Sequence, residues 1–130
     1  MGVDLVLYPY HTSKWPEKGP LAHMPDRAIY FPRWSAIYEF IDAAKPKPIP
    51  RRAFIVEEYA GEDAEVPVCH QEAGMGGWLS YLPAGKLQKS IASASRIAEA
   101  YPSDWKKLVM PVLKKLARLK PSTPVILDWT

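Results

Sequence analysis

The sequence predicts an α+β fold: a small mixed or antiparallel sheet of about five strands, two C-terminal helices on one face, and a shorter helix after a long N-terminal loop. Three observations predict it. Short apolar segments at 2–8, 53–59, 66–70, 77–82 and 124–129 have strand length and are bounded by Pro, Gly or charged residues. The segment 103–119 repeats its apolar residues at helical spacing, at Trp105, Leu108, Val109, Val112, Leu113, Leu116 and Leu119. A third stretch, Pro9 to Pro32, has no period and carries five prolines.

Val3-Asp4-Leu5-Val6-Leu7-Tyr8 is apolar on both alternating faces, which suits a central strand, and Pro9 stops it because Pro cannot donate to a ladder. The loop that follows holds Tyr10, Trp15, Tyr30, Phe31, His11 and His23. In the plainer reading it wraps one side of the sheet, with Tyr10 and Trp15 as buried plugs. In the functional reading it is a recognition surface, since long loops in compact domains often carry function. Trp34 to Ala44 forms a helix with Trp34, Ile37, Tyr38 and Ile41 on one face, and Lys45-Pro46-Lys47-Pro48-Ile49-Pro50 ends it as a stiff extended connector.

The 53–59 strand leads into the acidic loop Gly61–Glu65. The 66–70 and 77–82 strands flank Glu72-Ala73-Gly74-Met75-Gly76 as a hairpin with a glycine-containing turn. Pro83 opens a helix to about Ala100, with Leu87, Ile91, Ala94, Ala98 and Tyr101 on its buried side. Ser103 is the expected N-cap of the last helix, and Pro111 either bends that helix or opens a second one. Val125 to Trp129 closes the chain as a strand.

Composition bounds the function. A chain of 130 residues, 48 % apolar and 24 % charged, is a globular single domain spanning 1–130. One cysteine, Cys69, allows no intrachain disulfide, and no leader pattern or apolar run of membrane length stands in the sequence. A cytoplasmic protein with no membrane partner is the expectation. Charge is uneven. Residues 103–120 carry Lys106, Lys107, Lys114, Lys115, Arg118 and Lys120 against Asp104, a net +5. Residues 57–72 carry Glu57, Glu58, Glu62, Asp63, Glu65 and Glu72 with no Lys or Arg, a net −6, so the two segments are able to face each other.

No complete catalytic set is visible. Cys69 and His70 are neighbours, but adjacent strand residues point to opposite faces, so activation of the thiol would fall to His11 or His23. Cys69, His70, His11 and His23 match no metal-ligand spacing, and Gly74-Met75-Gly76-Gly77 leads into a strand rather than the helix a phosphate loop requires. Glu57-Glu58 and Asp63/Glu65 read as a solvated acidic edge rather than an acid–base pair. No cofactor is implied.

The leading expectation is a non-enzymatic binding protein acting by protein–protein contact, with Tyr10, Trp15, Tyr30, Phe31 and Trp34 of the 9–34 loop as anchors. The second class is nucleic-acid binding through Lys107, Lys114, Lys115 and Arg118, and the third is a small enzyme built on Cys69 and a loop histidine.

Overall fold

The structure, a computed structural model, describes residues 3–15, 21–23, 28–57 and 68–130. The α+β class stands. The main sheet is five-stranded and antiparallel, formed by β1 (Leu5–Pro9), β3 (Ile29–Phe31), β4 (Lys47–Pro48), β7 (Ser80–Pro83) and β8 (Pro124–Trp129) in the order β3-β1-β8-β7-β4. A smaller three-stranded sheet holds β2 (Leu21–His23), β5 (Ala53–Glu57) and β6 (Val68–His70) in the order β2-β5-β6.

This division corrects the expected membership of the sheet. The 53–59 and 66–70 segments pair with each other and leave the main sheet. Their places are taken by Ile29–Phe31 and Lys47–Pro48, both expected to be connectors. Extended Pro-bearing backbone makes a serviceable edge strand, since the missing N–H costs nothing on the solvent side. The 66–82 hairpin shrinks to a tight turn closed by a Glu72–Trp78 bridge.

Alternation builds two cores on the two faces of the main sheet. Leu5, Leu7, Ile29, Phe31, Leu82, Val125 and Leu127 face one way. Against them pack Ile37, Tyr38 and Ile41 of α1 (Ser35–Ala43), Ala84, Leu87 and Ile91 of α2 (Ala84–Ala92), and the C-terminal helical residues Val109, Val112 and Leu116. Tyr10, Ile49, Ala53, Ile55, Leu79 and Ile126 form the second core beneath the small sheet. β8 lies between β1 and β7 and contributes to both cores.

The C-terminal helices differ from the expected rods. The expected 83–100 helix breaks after α2 and resumes as α3 (Ser95–Ala100). The last helix begins one residue before Ser103, with Pro102 in its first turn and Tyr101 as an N-cap without a side-chain hydrogen bond. It runs through α4 (Pro102–Asp104), a π turn (Trp105–Val109) and α5 (Met110–Ala117). Pro111 explains the π turn. It offers no N–H to the carbonyl of Lys107, and in a tight α turn its ring would strike that carbonyl. The wider turn, in which Met110 N–H donates to the Trp105 carbonyl, relieves the clash without ending the helix. The extra residue also rotates the apolar stripe. Val109, Val112 and Leu116 are buried, but Leu108, expected on the stripe, is 42 % exposed.

The turn after Glu72 is pinned to the end of β8. Gly74 N–H donates to the buried Asp128 carboxylate at 3.0 Å, and Met75 N–H donates to the Trp129 carbonyl at 2.7 Å. Gly76 and Gly77 sit at φ 94° and 81°, where a side chain is strained, yet a Cβ at either would meet nothing within 4 Å. Gly77→Ala therefore isolates the conformational cost. A loss of about 1–2 kcal/mol is expected in urea denaturation, and an unchanged midpoint would contradict the assigned turn.

Candidate functional site

The five aromatics of the 9–34 segment do not form one surface. Tyr10 is only 3 % exposed. It continues the alternation of β1, its N–H donates to the Pro124 carbonyl at 2.8 Å, and its ring lies 4.7 Å from that of Trp15. Trp15 in turn meets Tyr81 edge-on at 5.3 Å. These rings line the second core, so Tyr10 is corrected from an exposed anchor to the buried plug of the plainer reading. Burial holds its phenol above the ordinary range, with nearby Arg52 opposing the shift. Phe31 is also buried, 6.0 Å from the ring of Tyr38. Tyr30, between two inward residues of the edge strand β3, points outward and is 75 % exposed.

Trp34 belongs to a different group. It is half-buried and meets Tyr101 at 5.9 Å and Trp105 at 6.5 Å, both nearly edge-on. Leu108, three residues on within the π turn, is turned away from the Trp105 face. This cluster joins the start of α1 to the α3–α4 corner. Trp34 and Trp105 close one end of the main core, while Tyr101 and Leu108 remain largely open to solvent.

Tyr101, expected on the buried side of a continuous helix, is instead 57 % exposed. The break after α2 redirects the chain. In addition, Tyr101 precedes Pro102, and the proline ring disfavours helical backbone in the residue before it. Its φ of −132° is extended. That signal was readable in the Tyr-Pro dipeptide.

The corner that presents Trp34 is fastened by side chains. The Arg33 guanidinium forms a two-pronged ion pair with the Asp4 carboxylate, one arm of which, Nη2 to Oδ2, measures 2.9 Å. The Tyr38 hydroxyl lies 3.0 Å from the Val3 carbonyl and 3.1 Å from the Pro32 carbonyl and donates there. Burial raises the Tyr38 phenol above its ordinary range.

Lys107, Lys114, Lys115 and Arg118 are exposed, and none of the four is in an ion pair with another described residue. The proposed acidic counterweight at 57–72 falls mostly outside the described residues. Glu58, Glu62, Asp63 and Glu65 lie there, as do the side chains of Cys69, His70 and His23. His11 is exposed and packs on Tyr10 at 4.3 Å. Among the described residues no group of three His, Cys, Asp or Glu could hold a metal ion, and no helix is long and apolar enough to cross a membrane.

Where the two sheets meet, Pro48, Ile49, Arg51, Gln71 and Trp78 line a wide groove of about 700 Å³. Internal bonds hold its wall. The Trp78 indole N–H donates to the Ile49 carbonyl at 3.0 Å, and the Gln71 amide donates to the carbonyls of Ala53 and Arg51. Among the described residues the lining offers one cation, Arg51, and one amide, Gln71.

Compared with protein-family models, curated proteins and solved structures, the chain matches none.

The Arg33 hydrogen bond holds the Asp4 carboxyl below the ordinary aspartate value of 3.8. A depressed folded-state pKa means that the pair's contribution is present above the unfolded value and is lost as pH falls through the folded one. NMR titration should find Asp4 below 3.8 in the wild type and close to it in Arg33→Gln. Identical titration of the two proteins would show that the pair is not formed in solution.

Proposed function

We propose that the protein is a non-enzymatic binding module that takes a protein partner on the surface formed by Trp34, Tyr101 and Trp105. The observation that carries this reading is the exposure of Tyr101, at 57 %, directly beside the Trp34 ring, which in turn meets Trp105. A large ring left open on a rigid aromatic base has the form of a binding anchor: much contact area, few rotors to freeze, and neighbours that exclude water. Lys106 and Lys107, exposed and next in the chain after Trp105, favour a partner segment with acidic flanks. Of the loop anchors expected from sequence, Trp34 belongs to this surface, and Tyr30 is available as a separate contact on the β3 edge.

Tyr101 supplies the clean test because it adds little to the core. Tyr101→Ala should reduce capture of the partner from lysate at least about tenfold, the loss expected on removing a single hot-spot ring, with folding unchanged by circular dichroism. Capture of the same proteins at the same yield would sink the reading.

One further observation favours a second reading, in which Lys107, Lys114, Lys115 and Arg118 bind nucleic acid: all four are exposed and unmatched by acid among the described residues. If these four contact phosphates, log K should fall against log salt with a slope of about −3.6 on duplex DNA. Absence of binding at low salt would exclude this reading and leave the aromatic surface alone.

A further inference from the structure

We infer that the hollow beside the β4 edge strand binds a small, multiply charged oxyanion of the phosphate class. It is lined by Lys45, Lys47, Tyr81, Leu82, Pro83 and Lys86 and measures about 110 Å³. One water needs roughly 10–15 Å³ of such space, so the hollow accommodates a group much larger than a single solvent molecule.

Its three lysines are far apart in the order of the fold. Lys45 follows α1, Lys47 lies in β4, and Lys86 lies in the first turn of α2. Two backbone features bring them together. Lys45 adopts φ 55°, alone among the described non-glycine residues in having a positive value, and its N–H donates to the Asp42 carbonyl at 3.0 Å. This left-handed cap turns the chain sharply out of α1 into β4. Pairing of β4 with β7 then sets Lys47 directly across from Tyr81, five residues before Lys86. The hollow closes around that junction.

The charge arrangement points to the ligand. Three lysines line one small cavity, and no carboxylate among the described residues does. None of the three is in an ion pair among the described residues. An anion held between such cations gains charge-assisted hydrogen bonds from them. The start of α2 is not the source of the attraction. The N–H groups of Ala84 and Gly85 already donate to the carbonyls of Thr123, at 2.8 Å, and Pro121, at 3.0 Å. The donors are therefore ammonium groups, with the Tyr81 hydroxyl available on the wall. Three such charges match a tetrahedral dianion better than a singly charged carboxylate, and the small volume suits a single phosphate group.

The site is independent of both readings above, since it shares no residue with the aromatic surface or with the 107–118 cations. Calorimetry with inorganic phosphate at low ionic strength should give saturable one-to-one binding. Lys86→Ala and Lys47→Ala should each weaken it about tenfold or more, as for loss of a hydrogen bond to a charged group. Lys86→Arg should retain binding, and Lys114→Ala with Lys115→Ala should leave it unchanged. Glycerol phosphate serves as a second probe. Tighter binding than inorganic phosphate assigns the site to a phosphate carried on a small molecule, and weaker binding assigns it to the free ion. Absence of saturable binding would overturn the inference. So would equal loss in the Lys114/Lys115 variant, because the charge would then be acting without a site.

Discussion

Both cores rest on β8. One alternating face of this strand gives Val125 and Leu127 to the helix-covered core, and the other gives Ile126 to the core beneath the small sheet. A strand buried on both sides must pair on both edges, because no water is present to satisfy its backbone. β1 and β7 supply that pairing. Asp4 and Thr130 extend it with reciprocal bonds of 2.8 Å. The same constraint places a carboxylate in the interior. Asp128 is 4 % exposed, and the Gly74 N–H answers it. The glycine turn and the last strand are therefore folded as one unit, with Gly74 too close to Thr130 to carry a side chain.

The helix layer follows from this frame. α1, α2 and α5 cover the Leu5–Leu127 face with aliphatic residues at helical spacing, while the aromatics gather at its ends. Trp129 meets Tyr38 at 5.0 Å, and Trp34 meets Tyr101 and Trp105. Aliphatic residues fill most of the sealed centre, and Trp34, Trp105 and Trp129 sit partly buried at its margin.

The parts legible in the sequence were those set by local periodicity. The buried Val109, Val112 and Leu116 and the alternation of Val125 to Leu127 were readable because each depends on the residues beside it. Sheet membership was not, since Ala53–Glu57 and Ser80–Pro83 present similar apolar patterns and nothing local says which pairs with β8. The burial of Tyr10 was one of the two readings of the loop, and alternation through Val6 and Tyr8, continued past Pro9, supports it. The aromatic surface was less legible. Trp34 and Tyr101 are 67 positions apart in the numbering, and their meeting depends on how α1 packs against the C-terminal helices. The lysine hollow likewise depends on the unexpected pairing of β4.

The π turn has a consequence for how the molecule opens. Its carbonyls are held by wider, less favourable bonds, and Pro111 withdraws one donor immediately after it. The last helix should therefore fray from its middle as well as from its ends. Lys106 and Lys107 lie in that weak turn, exposed, whereas Lys114 and Lys115 lie in regular α5. In the folded protein a lysine-directed protease would thus find the Lys106-Lys107 bond ahead of the Lys114-Lys115 bond, and the first cut would separate the aromatic corner from the α5 segment packed on the sheet.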